Sequence, residues 1–135
     1  MPERRRPPQP PRPALIRRPR TAFGWLEADL LHEGWLARLG PEATAVLTLL
    51  ALAADQRGAS FYSRVRMAER LGLTRAGLDQ GLARLLEVGL IAHRPWRAGA
   101  VDGVWQLLPL TPRTREPRGG EALSVGAVLA RMGLA

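Results

Sequence analysis

The sequence predicts one small α+β domain, mainly helical, finished by a two- to three-stranded antiparallel sheet. Three observations carry this expectation. Apolar residues recur at three-to-four spacing through most of residues 21–88, a glycine turn near residue 72 separates two capped helical stretches, and two strand-like stretches flank a turn-rich loop at 94–103. With 135 residues and 46% hydrophobic content, the chain has room for one real core and no second domain.

Residues 1–20, MPERRRPPQPPRPALIRRPR, hold seven Pro and seven Arg, so neither a helix nor a paired strand is expected, and the stretch reads as a disordered basic arm. Its one apolar run, residues 14–16, is too short for a secretory signal. In residues 21–39, TAFGWLEADLLHEGWLARL, the apolar spacing fits one or two short helices interrupted at Gly34, with Trp25 and Trp35 as core residues. Gly40-Pro41-Glu42 opens a strong helix, because Pro suits the first turn and Glu42 complements the positive end of the macrodipole. Its body, ATAVLTLLALAAD, is apolar almost all round, as a central helix should be, and Arg57-Gly58 ends it.

Residues 59–62 form a short strand candidate in which Phe61 and Tyr62 take opposite faces. Ser63 then caps RVRMAERL, Gly72 breaks that helix, Thr74 caps RAGLDQGLARLLEV, and Gly89 closes it. Residues 90–93 and 104–108 are strand-like, and Pro95, Gly99, Asp102 and Gly103 are turn residues between them. Residues 21–110 thus make the domain. Residues 111–120, TPRTREPRGG, read as a linker, and 121–135 as a short C-terminal helix or tail.

All 20 basic residues are Arg, and the net charge of +8 suggests an anionic partner. Its distribution is uneven. The arm carries +6, residues 21–110 are neutral, and 111–135 carry +2. Within the domain, residues 57–97 hold eight Arg against Glu69, Asp79 and Glu87, so that half is the basic one. With no Cys and two His, disulfides and zinc clusters are excluded, and no cofactor or metal is expected. The longest apolar stretch, residues 43–54, is far short of the ~20 residues a membrane span needs, so a soluble, cytoplasmic protein with no membrane partner is expected. Ser60, Ser63 and Ser124 lie in no nucleophile elbow, the carboxylates are scattered singly, and His32 stands alone; no enzyme activity is expected.

The informative stretch is Met67-Ala-Glu-Arg-Leu-Gly-Leu-Thr-Arg-Ala-Gly-Leu78. A helix-turn-helix needs a small residue where the helices approach (Ala68), Gly four residues on for the turn (Gly72) and an apolar anchor six further (Leu78). Met67, Leu71 and Leu73 take the other buried positions, and Leu78, Leu82 and Leu85 form the inward stripe of the second helix. With LLEVGLI and the hairpin that follows, residues 40–108 resemble the winged helix-turn-helix modules of bacterial transcriptional regulators and of plasmid or mobile-element replication proteins. The resemblance implies sequence-specific binding of double-stranded DNA in the nucleoid, for transcription regulation or mobile-element maintenance, with the helix at 74–88 in the major groove and the hairpin on the backbone or minor groove. The alternative is a winged helix that contacts protein within a nucleoprotein assembly, where only the arm meets nucleic acid.

Projected at 100° per residue, the second helix turns Ala76, Gln80, Ala83 and Glu87 away from the inward stripe, flanked by Asp79 and Arg84, with Arg75 in the first turn. Gln80 suits adenine, Arg75 or Arg84 guanine or phosphate, and Asp79 cytosine. Ser63, Arg64, Arg66, Thr74, Arg94 and Arg97 complete the candidate DNA-binding set; a plain solvated face is the competing account. Trp96, between Arg94 and Arg97, either lies against a sugar or base edge or packs back beside Trp105. Gly77 and Gly81 are unusual in such a helix, and close packing on the preceding helix accounts for Gly81. A palindromic target would require a dimer, through Leu30, Leu31 or the C-terminal segment, which is also the surface expected for a partner protein.

Overall fold

The computed structural model describes residues 8–110. Four helices and three strands follow in the order α1 (Asp29–His32), α2 (Trp35–Ala53), β1 (Ala59–Ser60), α3 (Arg64–Leu71), α4 (Arg75–Glu87), β2 (Ile91–Pro95) and β3 (Gly103–Leu107). The domain is α+β and mainly helical, with one three-stranded antiparallel sheet in the order β1-β3-β2. Register pairs Ser60 with Trp105 and Trp105 with His93, so these three residues form one row across the sheet. The linker expected at 111–120 and the helix or tail expected at 121–135 lie outside the described residues. Residues 8–20 are exposed throughout and contain a single 3-10 turn, Pro13–Leu15, which the reading of the arm did not include. Proline at its start costs nothing there, because that N–H would be unpaired anyway.

α2 departs from expectation at its C-terminal end. Its main body opens at Gly40-Pro41 as expected: Gly40 is non-helical at φ 80° and ψ 172°, and the helical path resumes at Pro41. A short helical stretch from Trp35, behind Gly34 at φ 78°, precedes that kink and is counted with it in α2. The helix stops at Ala53, not at Arg57-Gly58, because Asp55 captures the chain beyond it. The Asp55 carboxylate accepts the N–H groups of Arg57 (2.8 Å) and Ala59 (3.0 Å), and the Gly58 N–H donates to the Asp55 carbonyl at 3.0 Å. This side-chain turn replaces helix continuation and feeds β1. At 19 residues and mean hydropathy 1.4, α2 is long and apolar enough by composition to cross a membrane, unlike the shorter stretch read from the sequence. Its packing is that of a core helix, since α1, α3, α4, β1 and β3 all lie against it.

The core centres on Trp105, Leu50, Met67, Leu78, Leu82, Leu85 and Val46, all fully buried. The inward stripe of α4 is thus the expected one, and Leu71 and Leu73 pack against the same cluster. Trp35 is buried at 3% exposure, but Trp25 is 71% exposed and is not a core residue. The buried arc of α4 is wider than its leucine stripe. α2, α3 and β2 all cover the helix, so Ala83, expected outward, is 1% exposed. Gly77 and Gly81 do not face the preceding helix α3. They face α2: a Cβ on Gly81 would stand 2.9 Å from Val46 Cγ2 and 3.1 Å from the Glu42 carbonyl oxygen. The two glycines let α4 lie close along α2, and that approach sets the height of the α3–α4 pair above the core.

Candidate nucleic-acid interface

Ser63 and Thr74 open the two helices of the pair as caps. Ser63 Oγ accepts the Arg66 N–H at 3.2 Å, and Thr74 Oγ1 accepts the Gly77 N–H at 3.0 Å. Between them, Gly72 takes φ 66° and the Leu73 N–H donates to the Ala68 carbonyl at 3.0 Å. The angle between α3 and α4 is therefore held by backbone hydrogen bonds that only a left-handed residue at 72 permits.

Arg64 is the main correction to the site. It was expected on the surface, yet it is 6% exposed. Its Nη1 lies 3.0 Å from Asp79 Oδ1 on α4, and its backbone N–H donates to Asp102 Oδ1 in the hairpin loop at 3.0 Å. One residue thus ties α3, α4 and the β2–β3 hairpin together. The physical reason is that a carboxylate and a guanidinium facing each other across a closing helix interface are better paired than desolvated separately. Asp79 is spent on the same contact, so the acid expected to accept from cytosine already faces a guanidinium.

Arg84 is likewise turned inward. Its Nη2 donates to the Arg38 carbonyl on α2 at 3.2 Å, and its Nη1 lies 3.8 Å from Glu87, whose side chain is only 14% exposed. Both were expected on the open face. Arg84 belongs instead to the seam between α4 and α2, and Glu87 is half-buried beside it on α4.

What remains outward is compact. Arg75, Ala76 and Gln80 are exposed on the first turns of α4, and Arg66 is exposed on α3. On the hairpin, Arg94, Trp96 and Arg97 are exposed. The tip is closed by the Trp96 N–H donating to the Asp102 carbonyl (3.1 Å) and the Ala100 N–H donating to the Arg97 carbonyl (3.0 Å). Trp96 does not pack beside Trp105. It stands against Phe61, ring centroids 6.4 Å apart and tilted by 57°, and both rings face solvent. The alternation of Phe61 and Tyr62 signalled that one ring would be exposed, but nothing local to the sequence signalled its partner 35 positions on.

The sheet face beneath the hairpin is apolar but contains polar atoms. His93 stacks on Trp105 at 4.0 Å and 28°. Burial pushes its imidazole pKa down, Asp102 opposes that, and the Arg64 charge adds to it. Arg66, Arg70, Arg75, Arg94 and Arg97 are therefore the cations that the helix pair and hairpin offer to solvent, with Glu69 the exposed acid of α3. No known protein family matches the chain, and no curated protein or solved structure is similar to it.

Proposed function

We propose that the chain is a winged helix-turn-helix protein that binds double-stranded DNA by sequence, with α4 in the major groove and the β2–β3 hairpin on the backbone or minor groove. The observation that carries this reading is the Arg64 junction. By joining α3, α4 and the hairpin at 3.0 Å contacts, it makes one rigid unit of the two parts that would grip DNA, and it removes the Asp79 charge from the reading side. Arg75 and Gln80 then stand clear on α4, and Ala76 between them leaves its backbone free to approach base edges. The order helix, strand, two helices and hairpin, with β3 central, is the one this reading requires. Arg94 and Arg97 suit phosphates, and the exposed Phe61–Trp96 pair suits a sugar edge between them. The basic arm adds sequence-independent attraction that weakens with salt. Transcription control and maintenance of a mobile element are the roles such binding serves.

The test is selection of tight binders from a pool of randomised duplexes with the full chain, followed by electrophoretic competition between the selected site and random duplex. A selected site that outcompetes random duplex by a factor of about 10³ or more is the expected result. Equal competition would show that binding does not depend on base sequence and overturn the reading.

A further inference from the structure

A second surface, unrelated to the helix pair, carries an inference of its own. Beside the C-terminal half of α2 lies an open apolar cleft of about 620 Å³, walled by Phe23 and Trp25 on one side, Leu47 and Ala51 beneath, and Leu107 and Leu110 on the other. Phe23 is 70% exposed and Trp25 71%, although rings of this size are normally covered by the chain or by a partner. The wall is fixed in place. A Cβ on Gly24 would collide with the backbone of Ala51 and Leu52, so residues 23–25 are held against α2 by backbone contact while their flanking rings stand free.

We propose that this cleft receives the chain's own C-terminal segment, residues 121–135, docked within the same molecule. Three observations select this occupant. The described chain leaves through the cleft itself: Leu110 lines it and packs against the core, and 25 further residues follow. The first ten of these, TPRTREPRGG, span at most about 30 Å when extended, at roughly 3.1 Å per residue, which is ample to return to a site that begins at Leu110. Within the rest, Val125, Val128, Leu129 and Met132 recur at the spacing of one helical face, with Ser124 and Arg131 off that face. A short tether raises the local concentration of the segment to the millimolar range, which favours docking in cis over capture by a second copy.

The experiment uses the full chain. Leu129→p-benzoylphenylalanine is photo-cross-linked at micromolar concentration in an equal mixture of ¹⁵N-labelled and unlabelled protein, and the joined peptides are read by mass spectrometry. The proposal expects cross-links from residue 129 to residues 23–26 or 47–54, with both peptides carrying the same isotope. Mixed-isotope cross-links to those residues would make a second copy the occupant, and cross-links elsewhere or none would leave the cleft to another partner; either result overturns the proposal. A second measurement does not depend on cross-linking. Val128→Asp with Leu129→Asp should raise the fluorescence of a hydrophobic dye several-fold at unchanged far-ultraviolet circular dichroism, Ser124→Asp should leave it as in the parent, and adding Trp25→Ala should abolish the rise. Equal dye binding by the parent and the double variant would equally overturn it.

Discussion

The Arg64 guanidinium and the Asp79 carboxylate meet at 3.0 Å where α3 crosses α4, with their side chains 8% and 22% exposed. A pair this sheltered adds little over an apolar pair of the same shape, but breaking it is costly. Asp79→Ala should lower unfolding free energy by about 3 kcal/mol in urea titration, because it leaves the buried guanidinium without this carboxylate. Arg64→Met combined with Asp79→Leu should recover most of that loss. A stable Asp79→Ala variant would mean that the contact does not hold the two helices together.

Gly81 gives a packing prediction of opposite character. Alanine normally gains about 1 kcal/mol over glycine inside a helix. Here its methyl would come within 2.9 Å of Val46 Cγ2 and 3.1 Å of the Glu42 carbonyl, and overpacking of this kind costs about 1–3 kcal/mol. Gly81→Ala should therefore destabilise, by about 1 kcal/mol net, and the midpoint of chemical unfolding reads it directly.

Gln80 and Arg84 stand four residues apart on α4 but should behave differently. Gln80 is exposed, so Gln80→Ala should move stability by less than about 0.5 kcal/mol while relaxing base preference at one position by about 1–3 kcal/mol. Arg84 donates to the Arg38 carbonyl, so Arg84→Ala should cost about 1 kcal/mol of stability and leave base preference intact. Thermal unfolding and competition binding on both variants separate the two behaviours. A change of base preference in Arg84→Ala would return that residue to the reading face.

His93 predicts an acid-sensitive fold. Its folded-state pKa is lowered from 6.5, chiefly by burial. Between the two values the unfolded chain binds more protons than the folded one, so stability is full above about 6.5 and declines as pH falls through the window below it. His93→Gln should flatten this stretch of the stability–pH curve, measured by denaturant midpoints from neutral pH downward. A parent curve already flat there would contradict the buried, neutral imidazole.

The features that local rules govern were legible in the sequence. Ser63 and Thr74 as caps, Gly72 as the turn and Leu78, Leu82 and Leu85 as the inward stripe each follow from residues within one or two turns of one another, and the strands fall within a few residues of their expected places. What was not legible is set by partners distant in the chain. An Arg in the first turn of a helix reads as solvated, and nothing near Arg64 reveals a carboxylate 15 positions on that buries it. The same holds for Arg84, whose acceptor lies 46 positions back, and for Gly81, whose neighbour is α2 rather than α3. Trp25 failed differently: periodicity identifies a residue able to be buried, not whether a surface is present to bury it.

The strand order β1-β3-β2 means that, among the described residues, the last strand to be synthesised occupies the middle of the sheet. β1 has no partner until residues 103–107 exist, and Trp105, fully buried against both neighbours' faces, arrives with them. On the ribosome the helices would therefore emerge around an unfilled centre, and the domain can close only as a whole, once the hairpin turns back. A fragment ending before Trp105 would expose α2, the most apolar helix, to chaperones and proteases, so nonsense truncation anywhere upstream should remove the protein rather than leave a partly working piece.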